Sequence, residues 1–121
     1  MKPRAHPVTR EFERRLRDAR RTVWRTVVRT DEELAALEVH QAGASTEDAV
    51  ADTVSAVLSA LDGRERHLLD EIDAAQARLA AGTFGACASC ATPIPLARLR
   101  AVPTARLCVV CERKAERATP G

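Results

Sequence analysis

Cys87-Ala-Ser-Cys90 and Cys108-Val-Val-Cys111 decide how the C-terminal part of this chain folds. They hold the only four cysteines in 121 residues, and 17 residues separate the two pairs. A C-x-x-C turn holds two sulfurs close enough to share one ion. An excursion of this length lets the second pair return and close a tetrahedron. Zinc–sulfur bonds of roughly 2.3 Å then fill all four positions and leave none for water or substrate. The spacing favours one structural zinc on Cys87, Cys90, Cys108 and Cys111, with an iron–sulfur cluster as the main other occupant. Two disulfides would need an oxidising compartment and a secretory signal, and the first seven residues, Met-Lys-Pro-Arg-Ala-His-Pro, have no apolar core. A redox C-x-x-C needs one pair only and normally follows a strand. His6, His40 and His67 stand far from the cysteines in sequence and read as surface residues.

Around the cysteines the pattern is irregular. Pro93, Pro95 and Pro103 exclude a long helix there. Leu96 to Ala101 has room for one short helical segment, and residues 109–118 predict a terminal helix that starts inside the second cysteine pair. Residues 82–121 thus read as a small zinc module.

Upstream the apolar residues turn periodic. Phe12, Leu16, Ala19, Val23, Val27, Thr30, Leu34 and Leu37 recur at spacings of three and four, and so form one helix face close to a coiled-coil seam. Thr9 reads as its N-cap, and Gly43 as its stop. Val50, Val54, Val57, Leu61, Leu68, Ile72, Ala75 and Leu79 form a matching face on a second segment, opened by a Ser45-to-Asp48 capping box and closed by Gly82. Gly63 lies inside that segment, beside a lapse in the seam at Arg64 and Glu65, and predicts a looser patch. Two long helices joined by a few residues must fold back on each other. The expected fold is therefore mainly α: a long antiparallel two-helix coiled-coil hairpin, plus the C-terminal four-cysteine zinc module with its terminal helix. Residues 1–8 form a flexible N-terminus in this reading, 9–81 the hairpin and 42–49 its tip. At 1.5 Å per residue each arm is about 50 Å long. Trp24 and Val28 read as outlying apolar positions, available to pair two rods.

The net charge of +2 hides a polarised chain. Residues 1–30 carry 10 basic and 3 acidic side chains, residues 31–81 carry 3 and 12, and residues 82–121 carry 6 and 2. No apolar run approaches the roughly 20 residues of a membrane span, so a soluble cytoplasmic protein is expected. No Ser/His/Asp set, glycine-rich phosphate loop or open metal site is evident, and a closed four-thiolate site does no catalysis. The chain does not read as an enzyme.

The stretch from Gly82 to Cys111 runs G-T-F-G-A-C-A-S-C-A-T-P-I-P-L-A-R-L-R-A-V-P-T-A-R-L-C-V-V-C. It closely resembles the DksA/TraR family of bacterial transcription regulators, whose pattern is G-x-(F/Y)-G-x-C-x-x-C-x-x-x-I-x-x-x-R-L-x-A-x-P-x-A-x-x-C-x-x-C. The similarity continues upstream through Gly63-Arg-Glu-Arg66 and covers roughly residues 44–115. The resemblance implies a coiled-coil hairpin on a zinc module. In that family the hairpin enters the secondary channel of RNA polymerase and places an acidic tip near the catalytic centre to modulate initiation.

Laid on this chain, the family's D-x-x-D-x-A tip falls on Ala44, Glu47 and Ala49. The first acid is missing, the second is a glutamate, and Asp48 adds charge beside it. The implied tip residues are thus Glu47, Asp48 and Ala49. Arg64, Arg98 and Arg100 are the implied contacts to the polymerase rim. Some family members bind guanosine tetraphosphate through basic residues that correspond to Glu71, Val102 and Glu112 here; acids at two of these repel phosphate, so the alarmone site is not expected. The expected partner is core or holo RNA polymerase, with no direct sequence-specific DNA binding and no membrane. The alternative is a zinc-containing nucleic-acid-binding or interaction protein that has lost tip-dependent activity.

Overall fold

A computed structural model of the chain describes residues 7–41, 43 and 48–118. Six helices follow in order: α1 (Pro7–Arg25), α2 (Asp31–Gln41), α3 (Asp48–Ser59), α4 (Gly63–Ala81), α5 (Leu96–Ala101) and α6 (Val109–Ala118). The described residues contain no strand, only an isolated antiparallel bridge between Ala86 and Pro93.

The described residues fall into two compact units. One takes the chain up to Leu16 and again from Glu71; the other is Arg17–Asp70. Helices α1 and α4 contribute to both.

Each arm of the expected hairpin proves to be two helices rather than one. The first arm stops at Arg25, where Thr26, Val27 and Val28 place three β-branched residues in succession and disfavour further helix. Their amides turn back on Val23 and Trp24: Thr26 N–H donates to Val23 O at 3.1 Å, and Val28 N–H to Trp24 O at 2.9 Å. Thr30 then caps α2. Glu33 N–H donates to Thr30 Oγ1 at 3.1 Å, and Glu33 Oε1 accepts from Arg29 N–H at 3.1 Å. Thr30 is therefore an exposed cap and not a seam residue.

The second arm breaks after Ser59, and Asp62 restarts it. Glu65 N–H donates to Asp62 Oδ1 at 2.8 Å, and Asp62 N–H to Glu65 Oε1 at 3.0 Å. This is a reciprocal capping box, and it makes Gly63 the first residue of α4 instead of a flaw inside a helix. The restart resets the register. Leu69 packs in the core, while Leu68 is 42% exposed. The looser patch expected near Gly63 is this break.

Two further expectations are corrected. Helix α1 begins at Pro7, whose fixed φ suits a first helical position, so Thr9 lies inside the helix and is not its cap. Trp24 is no outlier: it is 5% exposed, clustered with Leu37, Val54 and Val57, with Val28 packed alongside. The Ser45 capping box lies outside the described residues.

Unit 17–70 is a helical hairpin in which α2 packs on α3. Its core is the Trp24 cluster, and the guanidinium of the buried Arg20 sits 5.7 Å from the indole centroid. Thr26 Oγ1 lies 2.5 Å from Glu65 Oε2, so the two breaks meet through one hydroxyl donating to a carboxylate.

The other unit is built round Phe12, Cys87, Ile94, Leu99 and Ala105, with Val8, Leu79 and Phe84 packed on them. The Phe12 and Phe84 ring centroids are 5.0 Å apart. Helix α4 ends on Gly82 at φ +77°: Thr83 N–H donates to Arg78 O at 2.9 Å and Gly82 N–H to Leu79 O at 3.2 Å. That pair of bonds is a Schellman cap, which turns the chain out of the helix and into the cysteine loops.

Candidate metal centre and its surroundings

The two cysteine loops are held by backbone hydrogen bonds. Cys87 N–H donates to Thr92 O at 2.8 Å, Ala91 N–H to Cys87 O at 2.9 Å, and Ile94 N–H to Gly85 O at 2.7 Å. The bond from Ala88 N–H to Arg106 O, 2.8 Å, ties the first knuckle to the strand of chain entering the second. Cys111 follows in the first turn of α6, and its N–H donates to Cys108 Sγ at 3.5 Å.

These loops bring all four sulfurs within 4.8 Å of one another. Tetrahedral coordination at roughly 2.3 Å places sulfurs about 3.8 Å apart; Cys90 Sγ and Cys108 Sγ are separated by 3.8 Å. The donor set, its size and its spacing fit a zinc ion. Cys87 is buried, Cys108 and Cys111 are half-buried, and Cys90 faces solvent.

Protons divide unequally among the thiols. Backbone N–H groups, that of Cys108 first and then that of Cys90, hold Cys87 down at about 6. Thr92, whose Oγ1 lies 3.0 Å from Cys90 Sγ, lowers Cys90. Cys111 is pushed up to about 12, first by the Cys108 side chain and next by Cys87. Crowded sulfurs resist carrying four negative charges together, and a divalent cation removes that resistance.

Ion pairs brace the centre. Arg100 on α5 reaches Glu11 on α1 at 3.0 Å, and Glu11 also takes Arg15 at 2.8 Å. Arg100 foremost, then Arg15, pulls the Glu11 carboxyl down to about 2. Arg98 pairs with Glu112 of α6 and donates to Leu107 O at 3.3 Å. Arg78 donates to Thr104 O at 3.4 Å, and Thr104 Oγ1 donates to Glu71 at the same distance. Burial, and then the nearby Arg106, lowers the Arg78 pKa.

The family model described as "Prokaryotic dksA/traR C4-type zinc finger" matches residues 82–117, a segment that contains all four sulfur ligands. The chain carries the zinc finger of the DksA/TraR family. Its four cysteines hold one structural zinc. Among relatives of the DksA/TraR zinc finger, the chain is 43% identical over 53 residues to the RNA polymerase-binding transcription factor DksA of Haemophilus influenzae, 44% of this chain and 37% of that protein. The protein so described from Caulobacter vibrioides is 43% identical over 54 residues, 45% and 38% of the two chains. The matches span well under half the length of these curated relatives. The solved structure of transcription factor DksA2 from Pseudomonas aeruginosa aligns over 97% of this chain and 92% of its own, with a TM-score of 0.58 at 27% identity.

The other residues singled out from sequence fall into three groups. Ala44 and Glu47 lie outside the described residues, and Asp48 and Ala49 open α3. Arg98 and Arg100 are engaged in ion pairs within the chain, whereas Arg64 is exposed on α4. Of the three positions singled out for alarmone contact by resemblance, Glu71 accepts from Thr104, Glu112 pairs with Arg98, and Val102 terminates α5 at 46% exposure. Sequence reading missed the Glu11–Arg100 bridge, because nothing in a linear pattern relates residues 89 positions apart. No helix among the described residues is long and apolar enough to cross a membrane.

Proposed function

We propose that this chain is a transcription regulator that binds RNA polymerase and inserts the tip of its helical hairpin, residues 42–49, into the secondary channel to modulate initiation. The observation that carries the reading is the zinc finger: its cysteine geometry and its pattern belong to one family. Relatives that share it are described as RNA polymerase-binding transcription factors. The DksA2 likeness extends the resemblance from the finger to nearly the whole chain.

In this reading residues 82–121 are the zinc base, 9–81 the hairpin, and Glu47, Asp48 and Ala49 the acting end. A glutamate at position 47 is one methylene longer than an aspartate, and so reaches the polymerase's catalytic region from a slightly different angle. Arg64, exposed and without an ion pair among the described residues, is the best placed of the three arginines to meet the partner. Arg98 and Arg100 act indirectly, by holding α5 to α6 and α1. The acids at positions 71 and 112 leave no phosphate site of the usual alarmone kind. The protein works in the cytoplasm as a binding module, not as an enzyme, and reads no promoter sequence.

A photo-reactive residue introduced at position 47 tests this. Irradiation with core polymerase is expected to give one main adduct, in the secondary channel. Glu47→Ala is expected to abolish the effect on initiation while affinity stays within about threefold, a change of under 1 kcal/mol. Adducts confined to an outer surface of the polymerase contradict the proposal, as does a Glu47→Ala protein with full effect.

A further inference from the structure

Helix α1 carries an unusual number of arginines, and the helical register gathers five on one side. At 3.6 residues per turn, Arg10, Arg14, Arg17, Arg21 and Arg25 fall within an arc of about 80°. Spaced over 15 residues, they extend about 22 Å along the helix. Arg10, Arg14, Arg17 and Arg25 are exposed. None of these four has an ion-pair partner among the described residues; only Arg21 is tied down, by Glu38 at 2.5 Å. Glu13 and Asp18 stand at the margins of the arc. The apolar residues of α1 lie elsewhere: Phe12, Leu16, Val23 and Trp24 are all buried. At the end of the helix, Arg25 and Arg29 border an open hollow of about 450 Å³, which Val28, Thr30, Asp31 and Leu34 complete.

We infer that this face of α1 docks on the sugar–phosphate backbone of nucleic acid, without sequence selection. Charge complementarity chooses the partner. A row of exposed guanidiniums matches a polyanion whose charges recur at intervals shorter than the arginine spacing. A specific protein interface needs a desolvated apolar or aromatic anchor at its centre, and this face has none. Base readout needs side chains that enter a groove or stack, and no aromatic interleaves the arginines. Arginine also grips phosphate bidentately, so each contact both attracts and orients. The inference does not depend on polymerase binding.

The test uses the full zinc-loaded chain and a fluorescent mixed-sequence duplex, with binding read by anisotropy as salt rises from about 50 to 200 mM. Binding is expected to weaken steeply with salt and not to depend on sequence. The triple variant Arg14→Gln, Arg17→Gln, Arg25→Gln is expected to lose at least tenfold in affinity and about 3 units of log–log salt slope. Each single variant is expected to lose about 1 unit. A charge-matched control on α6, Arg113→Gln, Lys114→Gln, Arg117→Gln, is expected to lose less than half as much. Circular dichroism must show equal helix content in all of them. Equal losses in the two triple variants overturn the inference. So does absence of binding at the lowest salt, or equal affinity for polyglutamate, which reassigns the face to acidic protein.

Discussion

The zinc-bearing unit and the hairpin unit solve the same problem by opposite means. The first orders irregular cysteine loops and the short helices α5 and α6 against the start of α1 and the end of α4. Four cysteines, one aromatic contact and two ion-pair bridges hold it. The second is mainly helix, interrupted at residues 26–30 and 60–62, and has no metal ligand set among the described residues. It relies on Trp24, Leu37, Val54 and Val57, and on helix caps at each break. A short chain with few aromatics cannot build one thick core, so one unit is fastened by coordination and the other by periodic packing.

Metal removal should separate the two most sharply. Chelation at neutral pH, or Cys87→Ser, is expected to erase the ordered signals of α5 and α6. Trp24 is the only tryptophan and lies in the hairpin unit, so it reports that unit alone. Its emission maximum is expected to stay put. A red shift equal to that of the fully unfolded chain would mean that the two units melt as one.

Core truncation comes next. Phe12→Ala and Trp24→Ala should each cost about 3–5 kcal/mol. They differ in a second readout: Phe12→Ala is expected to speed zinc loss to a chromogenic chelator at least several-fold, because Phe12 shares a cluster with Cys87. Trp24→Ala should leave that rate unchanged. Equal zinc loss from both variants breaks the distinction.

The helix caps offer a smaller effect. Thr30→Ala and Asp62→Ala should each destabilise the hairpin by about 1 kcal/mol in urea titrations, without altering zinc content. No change in either variant would mean that the breaks are not anchored by their caps.

These caps also mark the limit of what the sequence disclosed. The cysteine spacing, α5 and α6 were legible residue by residue, since ligand number and proline placement leave few alternatives. The heptad-like faces identified Phe12, Leu16, Val23, Leu37, Val54, Val57, Leu61, Ile72 and Ala75, all of which are buried. Of the two interruptions, the one beside Gly63 reads only as a looser patch and the one before Thr30 not at all, although Thr30-Asp-Glu-Glu33 and Asp62-Gly-Arg-Glu65 each have the form of a start signal. A periodic count tolerates a break that nearly preserves phase, so Thr30 counted as a seam residue and Leu68 stood in for Leu69. Trp24 escaped for the same reason, because it packs only after the chain turns at Thr26. Long-range bridges such as Glu11–Arg100 leave no trace in a single sequence.

The gentlest contrast is in acid. Folding lowers the Glu11 carboxyl from its ordinary 4.5 to about 2. A group with a depressed folded pKa stabilises above its unfolded pKa, and loses that contribution as pH falls through the folded value. The Glu11 share is therefore complete above about pH 4.5 and fades towards pH 2. Carboxyl NMR should show Glu11 titrating well below the ordinary 4.5, and Arg100→Gln should raise its midpoint. A midpoint near 4.5 in the wild type would dissolve the bridge.

The account as a whole rests on partnership with RNA polymerase, and direct titration tests it best. Fluorescently labelled, zinc-loaded protein mixed with core polymerase should bind saturably with one site per enzyme, and an established secondary-channel factor should displace it. Failure to bind, or binding that such a competitor leaves untouched, contradicts it.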